Sequence, residues 1–544
     1  MKKHLFFALT LLMAVAMQGQ TYWNGTSNKT FSGSGTQTDP YLIGTPEQLA
    51  GLAERTNVDK EDFAGKYIKL TQDLYMCNFS NPDTANWPQW EPIGKMTITQ
   101  DPEDQWSMTF DTCYFRGQLD GNGHTIHNLY MGTVGEVSFG DPDDPTAGDV
   151  LDFSGTDYSF FGYIDGGSVS NLTINNLGLK ATGNMGGLAG VVRNGNINNV
   201  HVTNARIIQS NVLAYACGGL IGSVSNTIVE NSSVENTVIQ AVSANGFAGK
   251  LENNTIVRHC HATGYTYATL ADVASSVNNL GWASGFCSTV DEGCLIENSY
   301  STVQVNMSGG PVSTVHNAGW VAGFANANNG GTIRNCYSTG NCTGAKAAGF
   351  CVRNTGLIES CYSMGNVYSG EMDNPAAFIW ENGYENFIQY VGTVSVHPGI
   401  VRNCFSTGTC YEGEQPLTMG FVTSVLETHS SSGGMDSDGS QNVSCWFNND
   451  NIPTAQEGAS KPTAGTIGAT TAFMQSQAFV DTLNIVAALY GLNKWQYNAG
   501  AYPTLTSEKA TVSAVFGGGN GSKESPWLIN NLQHLKNMRA LVNL

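Results

Sequence analysis

Charged residues are scarce in this sequence. They make up 12% of its 544 residues, about half of the usual ~25%, so much of the surface must be neutral. Basic residues are scarcer still: 24 Lys and Arg against 44 Asp and Glu leave a formal charge of −20. That balance disfavours nucleic acid and anionic membranes as partners and suits a soluble exported protein. After residue 20 no run is apolar enough to span a bilayer. The signatures of several catalysts are also missing. There is no HExxH, no GxSxG elbow, no P-loop and no CxxC…CxxC zinc spacing, so neither a cofactor nor a metal is expected.

Glycine and apolar residues are abundant. Gly is 64 of 544, which implies frequent turns, and a hydrophobic share of 41% supplies a core and argues against disorder. Met1 to Gln20 reads as a secretory signal: Lys2 and Lys3, an apolar run from Leu5 to Ala16, then small or polar residues. No cysteine stands behind it for lipid attachment, so the expected location is secreted or cell-surface.

The stretch Tyr114 to Met131 sets a pattern: a Gly/Asn corner, Asp120-Gly-Asn-Gly123, then a short strand with Ile126 and Leu129. From Phe160 to Asn448 the device recurs. Aligned on the residue after the corner Asn, the repeats place Leu129, Leu172, Val200, Ser232, Cys260, Ser299, Cys336, Cys361, Cys404 and Cys445 in one column. The spacings vary, which a solenoid tolerates because loops of any length leave at one corner, while a propeller or helical repeat holds its period. The expected fold is all-β, a parallel β-helix (β-solenoid) with short helical caps at both ends.

Further columns support stacking. Asn171, Asn199, Asn231, Asn298, Asn335 and Asn403 precede the aligned position, where Asn tolerates the left-handed backbone of a corner. Three residues before that position runs an inward aliphatic row: Val169, Ile197, Val229, Val257, Ile296, Ile333, Ile358, Val401. Between the two rows the signs alternate on the outward side: Glu230, Arg258, Glu297, Arg334, Glu359, Arg402. Glutamates flanked by arginines read as register-setting pairs and not as carboxyls raised by burial. The cysteines of the aligned column are expected as buried free thiols. His259 and His261, on either side of Cys260, are expected as surface residues and not as a metal pair.

The domain plan is a signal peptide at 1–20, an N-terminal lead-in and cap at 21–113, the β-helix at 114–448, a C-terminal cap and closing strand at 449–510, and an incomplete second cap-like module at 511–544. Thr45, Pro46 and Gln48 make a capping box for a short helix through Arg55. Ala469 to Leu483 reads as a helix, and Trp495, Tyr502, Pro503 and Leu505 as the closing strand. Gly519-Asn-Gly-Ser522 and Pro526-Trp-Leu-Ile529 repeat Gly33-Ser-Gly-Thr36 and Pro40-Tyr-Leu-Ile43 at a constant offset of 486. This last module is expected to pack poorly on the body and to have no coil to cover, with the natural chain continuing past Leu544.

The segments Gly186-Gly-Leu-Ala-Gly190, Gly218-Gly-Leu-Ile-Gly222, Ala322-Gly-Phe324 and Ala348-Gly-Phe350, with Ile333-Arg-Asn-Cys-Tyr-Ser-Thr-Gly340, resemble the GLUG repeat of bacterial surface proteins. The resemblance covers most of the chain between Phe160 and Trp446, and the lead-in resembles that of Bacteroidetes-type exported proteins. It implies a parallel β-helix in an adhesin-like setting and carries no catalytic residues.

The expected function is non-enzymatic: an extracellular or cell-surface binding or adhesion protein, with glycans or surface proteins of a host or bacterium as candidate ligands. The alternatives are a polysaccharide lyase or glycosidase on the same scaffold, and a stalk for a larger surface protein. The candidate binding residues are Tyr300, Tyr337, Tyr362, Phe405 and Trp446, one residue after the aligned position on five successive coils, and the aromatic loop of Trp380, Tyr384, Phe387 and Tyr390. Two loops, Gly132–Asp157 with its acidic residues and Ser430–Gln441 with Asp436-Ser-Asp-Gly439, could supply oxygen ligands to calcium. Neither has the full spacing of a calcium loop.

Overall fold

The computed structural model describes residues 21–81, 86–100, 108–132, 158–209, 216–269, 281–307, 319–369, 375–388, 393–412, 415–416, 421–425, 439–451 and 465–542. The proposed signal at 1–20, most of the acidic insertion and most of the Ser/Gly-rich loop lie outside the described residues.

The chain winds as a parallel β-solenoid. Each coil lays its strands in register on those of the coil before. On one face Phe161–Asp165, Ala189–Arg193, Ile221–Ser225, Ala248–Glu252, Cys287–Asp291, Ala325–Asn329, Cys351–Asn354, Ile379–Asn382 and Val422–Val425 form one nine-stranded parallel sheet. A second face carries the aliphatic row in the expected register, Val169 on Ile197 and so on to Val401, each 0% exposed. Alternate residues of these strands point inward, so one continuous core runs along the axis.

Corners explain the asparagines. Asn171, Asn199, Asn231, Asn298, Asn335 and Asn403 all have φ near +50°, as the aligned column requires. His259, Ser360 and Ser444 take the same conformation on coils that lack the Asn. Two further Asn corners exist that the single alignment merged or passed over. Asn128, Asn176, Asn204 and Asn236 form one, and Asn194, Asn226 and Asn253 the other. Amides bond between coils, as from Asn226 Nδ2 to Asn194 Oδ1 at 2.8 Å. The second corner corrects the placement of Leu129: Ile126 pairs with Ile174, so Leu129 follows Asn128 as Leu177 follows Asn176. It does not stack on Leu172.

A phenylalanine ladder lines the axis. Phe247, Phe286, Phe324, Phe350, Phe378 and Phe421 are at most 1% exposed, and successive ring centroids are 4.7, 4.7, 4.8, 4.8 and 4.5 Å apart. The glycine before each of the first four rings has a steric cause. A Cβ on Gly285 would lie 2.1 Å from Gly323 O, and one on Gly323 2.1 Å from Gly349 O. Backbones of adjacent coils meet there with no room for a side chain.

All thirteen cysteines are free and buried. Cys260, Cys336, Cys361, Cys404 and Cys445 stand in one interior column. Burial pushes the Cys260 thiol up to about 12, so it stays protonated and unreactive at neutral pH.

The charge column is in register but its pairing is one-sided. Each glutamate holds the arginine of the following coil: Glu230 with Arg258, Glu297 with Arg334 at 2.9 Å, Glu359 with Arg402 at 3.3 Å. Arg334→Glu is expected to lower stability by about 1 kcal/mol, and adding Glu297→Arg to restore most of it. Thermal unfolding of the wild type, the single and the swapped pair tests this; a swap no more stable than the single would mean the pair does not set stability.

Helix α1, Pro46–Asn57, plugs the leading end. Thr45 caps it, accepting from Gln48 N at 3.2 Å, and Tyr41–Ile43 pairs in parallel with Tyr67–Leu70 of the first coil. At the other end the elements differ from expectation. The array runs one strand further, because Thr466–Ala469 stacks on Cys445–Asn448. A one-turn helix at Thr471–Met474 and then helix α2, Gln477–Leu489, follow, so the helix starts later than Ala469 and ends past Leu483. Trp495 and Leu505 belong to an antiparallel hairpin, Asn493–Gln496 with Thr504–Lys509, which does not join the solenoid sheet.

Candidate binding surface

The first candidate strip is a true stack. His261, Tyr300, Tyr337, Tyr362 and Phe405 lie in register on successive coils. Their centroids are 4.8, 4.8, 4.8 and 5.0 Å apart, with planes within 6° of parallel. Trp446 is in register with Phe405, but its ring turns to Phe473 and Phe479 at 5.8 and 5.4 Å.

Much of that strip is closed. The C-terminal cap folds over it, setting Trp495 5.4 Å from Phe405 and 6.0 Å from Tyr362, and Phe479 5.8 Å from Phe405. Tyr362 is 4% exposed, Phe405 0% and Trp446 7%. These three rings form the seat of the cap, which covers them. Tyr300 and Tyr337 remain half-buried at the open end, where burial pushes the Tyr337 hydroxyl up to about 12.

The same cap corrects the reading of Glu359. The carboxylate is not on an open charged row: it is 6% exposed, and burial raises it above its usual range despite Arg402, Arg334 and Lys509. Its partner Arg402 stacks on Tyr490 at 4.2 Å.

His259 and His261 do not form a pair. His259 stands at the corner, its Nε2 3.4 Å from Asn298 Nδ2. His261 stacks under Tyr300 and has its Nε2 3.2 Å from Glu235 Oε1. Among the described residues no three His, Cys, Asp or Glu side chains group as metal ligands.

The aromatic loop lies on a different face and has company that sequence reasoning missed. Tyr384–Ile388 pairs antiparallel with Thr393–His397. The Phe387 side chain and all of Tyr390 lie outside the described residues. Trp380 precedes the hairpin and packs with Trp320 on Ala322, Ala348 and Val352. Trp320 in turn stacks on Trp282 of the coil before, 5.4 Å away with planes 14° apart. Arg353 lies between rings, its Cζ 4.5 Å from Trp320 and 3.9 Å from Tyr384, and is held by Glu381 Oε2 at 2.7 Å. Lys346 Nζ is 4.7 Å from the Trp380 ring.

These residues share one surface because of the ladder behind them. Trp282, Trp320 and Lys346 are each four residues before a ladder phenylalanine, and Arg353 and Glu381 each three after one. Register then brings Trp282, Trp320 and Lys346 side by side, as it does Arg353 and Glu381. That fixed offset from Gly-Phe was the signal available in the sequence. The result is a half-buried platform of indole and phenol rings edged by two cations and a carboxylate.

No helix among the described residues is long and apolar enough to cross a membrane. No family model matches the chain. Over 228 residues, 41% of the chain, it is 27% identical to Halomucin of Haloquadratum walsbyi (strain DSM 16790 / HBSQ001), and the matched stretch spans about 2% of that relative's length.

Proposed function

We propose that this protein is a non-enzymatic binding protein of the cell surface or extracellular space, and that it holds glycans on the Trp282–Trp320 face. The observation that carries the reading is the platform of two stacked indoles with Arg353, Lys346, Glu381 and Tyr384 around it. The stacked indoles turn their faces to each other and to Arg353, so sugar C–H groups pack along their half-exposed edges, while the charged groups supply hydrogen-bond donors and acceptors for hydroxyls and acidic substituents. Rigid parallel coils hold the rings in place before any ligand arrives, which reduces the ordering cost of binding. The resemblance of the Gly-Leu and Gly-Phe segments to GLUG repeats, and a relative whose name marks it as a mucin, support a surface setting.

The test is retention on a panel of neutral and acidic polysaccharides. Trp320→Ala and Tyr384→Ala are each expected to weaken retention about tenfold, the factor that ~1.4 kcal/mol gives; Trp320→Ala also loses its stack on Trp282, which costs ~0.5 to 1.5 kcal/mol of stability, so retention is compared well below the unfolding transition of either variant. Tyr337→Ser reports on the other half-open strip and should leave retention intact. Release of new reducing or unsaturated ends would make the protein an enzyme and overturn the reading. So would retention that neither Trp320→Ala nor Tyr384→Ala reduces.

A further inference from the structure

The residues from Gly517 onward rebuild the cap of the leading end, at an offset of 486 (Gly33 to Gly519). In the first module Leu42 N donates to Ser32 O at 2.9 Å, Ser34 N to Asp39 O at 3.1 Å and Asp39 N to Thr36 O at 3.2 Å. In the second, Leu528 N donates to Gly518 O at 2.9 Å, Asn520 N to Ser525 O at 2.8 Å and Ser525 N to Ser522 O at 3.2 Å. The helix starts also agree. Thr45 Oγ1 accepts from Gln48 N and Gln48 Oε1 from Gly44 N; Asn531 Oδ1 accepts from His534 N and His534 Nδ1 from Asn530 N. Gly33 and Gly519 both have positive φ, and a Cβ on either would lie 2.0 Å from the oxygen of the matching proline, Pro40 or Pro526.

The two modules differ in what covers them. In the first, Ile43, Leu49 and Leu52 are 0% exposed. They face the first coil, whose Tyr67 N donates to Gly35 O and Thr71 N to Ile43 O, both at 3.0 Å. The matching residues Ile529, Leu535 and Met538 are 41%, 48% and 38% exposed, and Leu532, in place of the buried Pro46, is 67% exposed. Among the described residues no strand pairs with 526–529.

The opposite side of the module is seated. Asn537 Nδ2, on helix α3 (Leu532–Val542), donates to Val515 O at 2.7 Å. Phe516 stacks on Trp527 at 4.9 Å and joins Ile485 and Ala488 of α2. The expectation that the module packs poorly therefore holds for one face only, and that face is the one the first cap turns to its coil.

We infer that residues 517–542 are a second solenoid cap whose open face, Ile529, Leu532, Leu535 and Met538, takes the leading coil of a parallel β-solenoid that has no cap of its own. The first module shows the fit. A strand of alternating apolar residues adds in parallel to the Pro526–Ile529 segment, and its inward side chains close on α3. A second copy of this chain does not qualify, because its leading coil, Tyr67–Leu70, already carries a cap.

The probe is this chain's own leading coils. Residues 59–209 are appended after Leu544 of the full chain, so that Asp59 follows Leu544 as it follows Val58. Amide exchange over 526–542 is expected to slow about tenfold or more in the extended chain. A Leu535→Lys/Met538→Lys version, altered only at exposed positions, should return it to the rate of the unextended protein. Exchange that is unchanged by the extension, or slowed equally in the double variant, overturns the inference. Sedimentation of the unextended chain should show a monomer over a concentration series. Self-association removed by Leu535→Lys would assign the face to a second copy and overturn it as well.

Discussion

Trp495→Ala is expected to lower the stability of the C-terminal cap by about 3 to 5 kcal/mol, the range for removing a large aromatic side chain from a packed core. The indole is 0% exposed and bridges cap to coils by meeting both Tyr362 and Phe405. Its backbone is fixed as well: Trp495 N donates to Asn484 Oδ1 at 2.7 Å, and Asn484 Nδ2 to Trp495 O at 3.0 Å. The loss should be local, because coils of a solenoid contact only their neighbours and the cap touches the array mainly along one face. Limited proteolysis should then cut within 470–510 while the coils stay resistant. Tyr362 and Phe405, freed of their cover, would extend the open strip that begins at Tyr300 and Tyr337. If the variant resists cleavage as the wild type does, the cap is held elsewhere.

That cap is the part of the molecule least legible in the sequence, for a physical reason. The register of the coils from Leu172 to Cys445 can be read because it is local: corner, inward aliphatic and outward charge recur within a few residues of one another. Where the cap lies is decided by contacts between segments far apart in the chain. Asn493 Nδ2, for example, donates to Asn298 Oδ1 at 2.9 Å across 195 residues. Outward-facing rings at Tyr362, Phe405 and Trp446 look alike in sequence whether solvent or a hairpin covers them. Their high aromatic content was the available hint, since five exposed rings in a row are costly for a soluble protein.

Leu129 departs from its expected column for a different reason. A single Asn column does not define the repeat, because the coil turns at several Asn corners; Asn128 and Asn176 obey the same left-handed rule as Asn171. The Trp282–Trp320 platform was missed because its members are far from the Asn column and close to the Gly-Phe segments. Aligning on Phe286, Phe324 and Phe350 instead brings Trp282, Trp320 and Lys346 into one column.

Phe350→Ala, at the middle of the phenylalanine ladder, should have the largest effect in the coils. The ring is 0% exposed and stacked on both sides, 4.8 Å from Phe324 and 4.8 Å from Phe378. Truncation costs about 3 to 5 kcal/mol for burial and cavity, and each lost stack adds ~0.5 to 1.5 kcal/mol. Little relaxation can fill the gap, because Gly323 and Gly349 already hold adjacent backbones in contact. In a one-dimensional array such a defect weakens the coupling between two halves as well as one coil. Thermal unfolding followed by tyrosine and tryptophan fluorescence should therefore broaden or split into two transitions. Phe421→Ala, at the end of the ladder with one stacked neighbour in it, Phe378, should lower the onset without splitting. A single sharp transition for Phe350→Ala, shifted by no more than a loss of about 1 kcal/mol would produce, would show that the ladder fills space without coupling the coils.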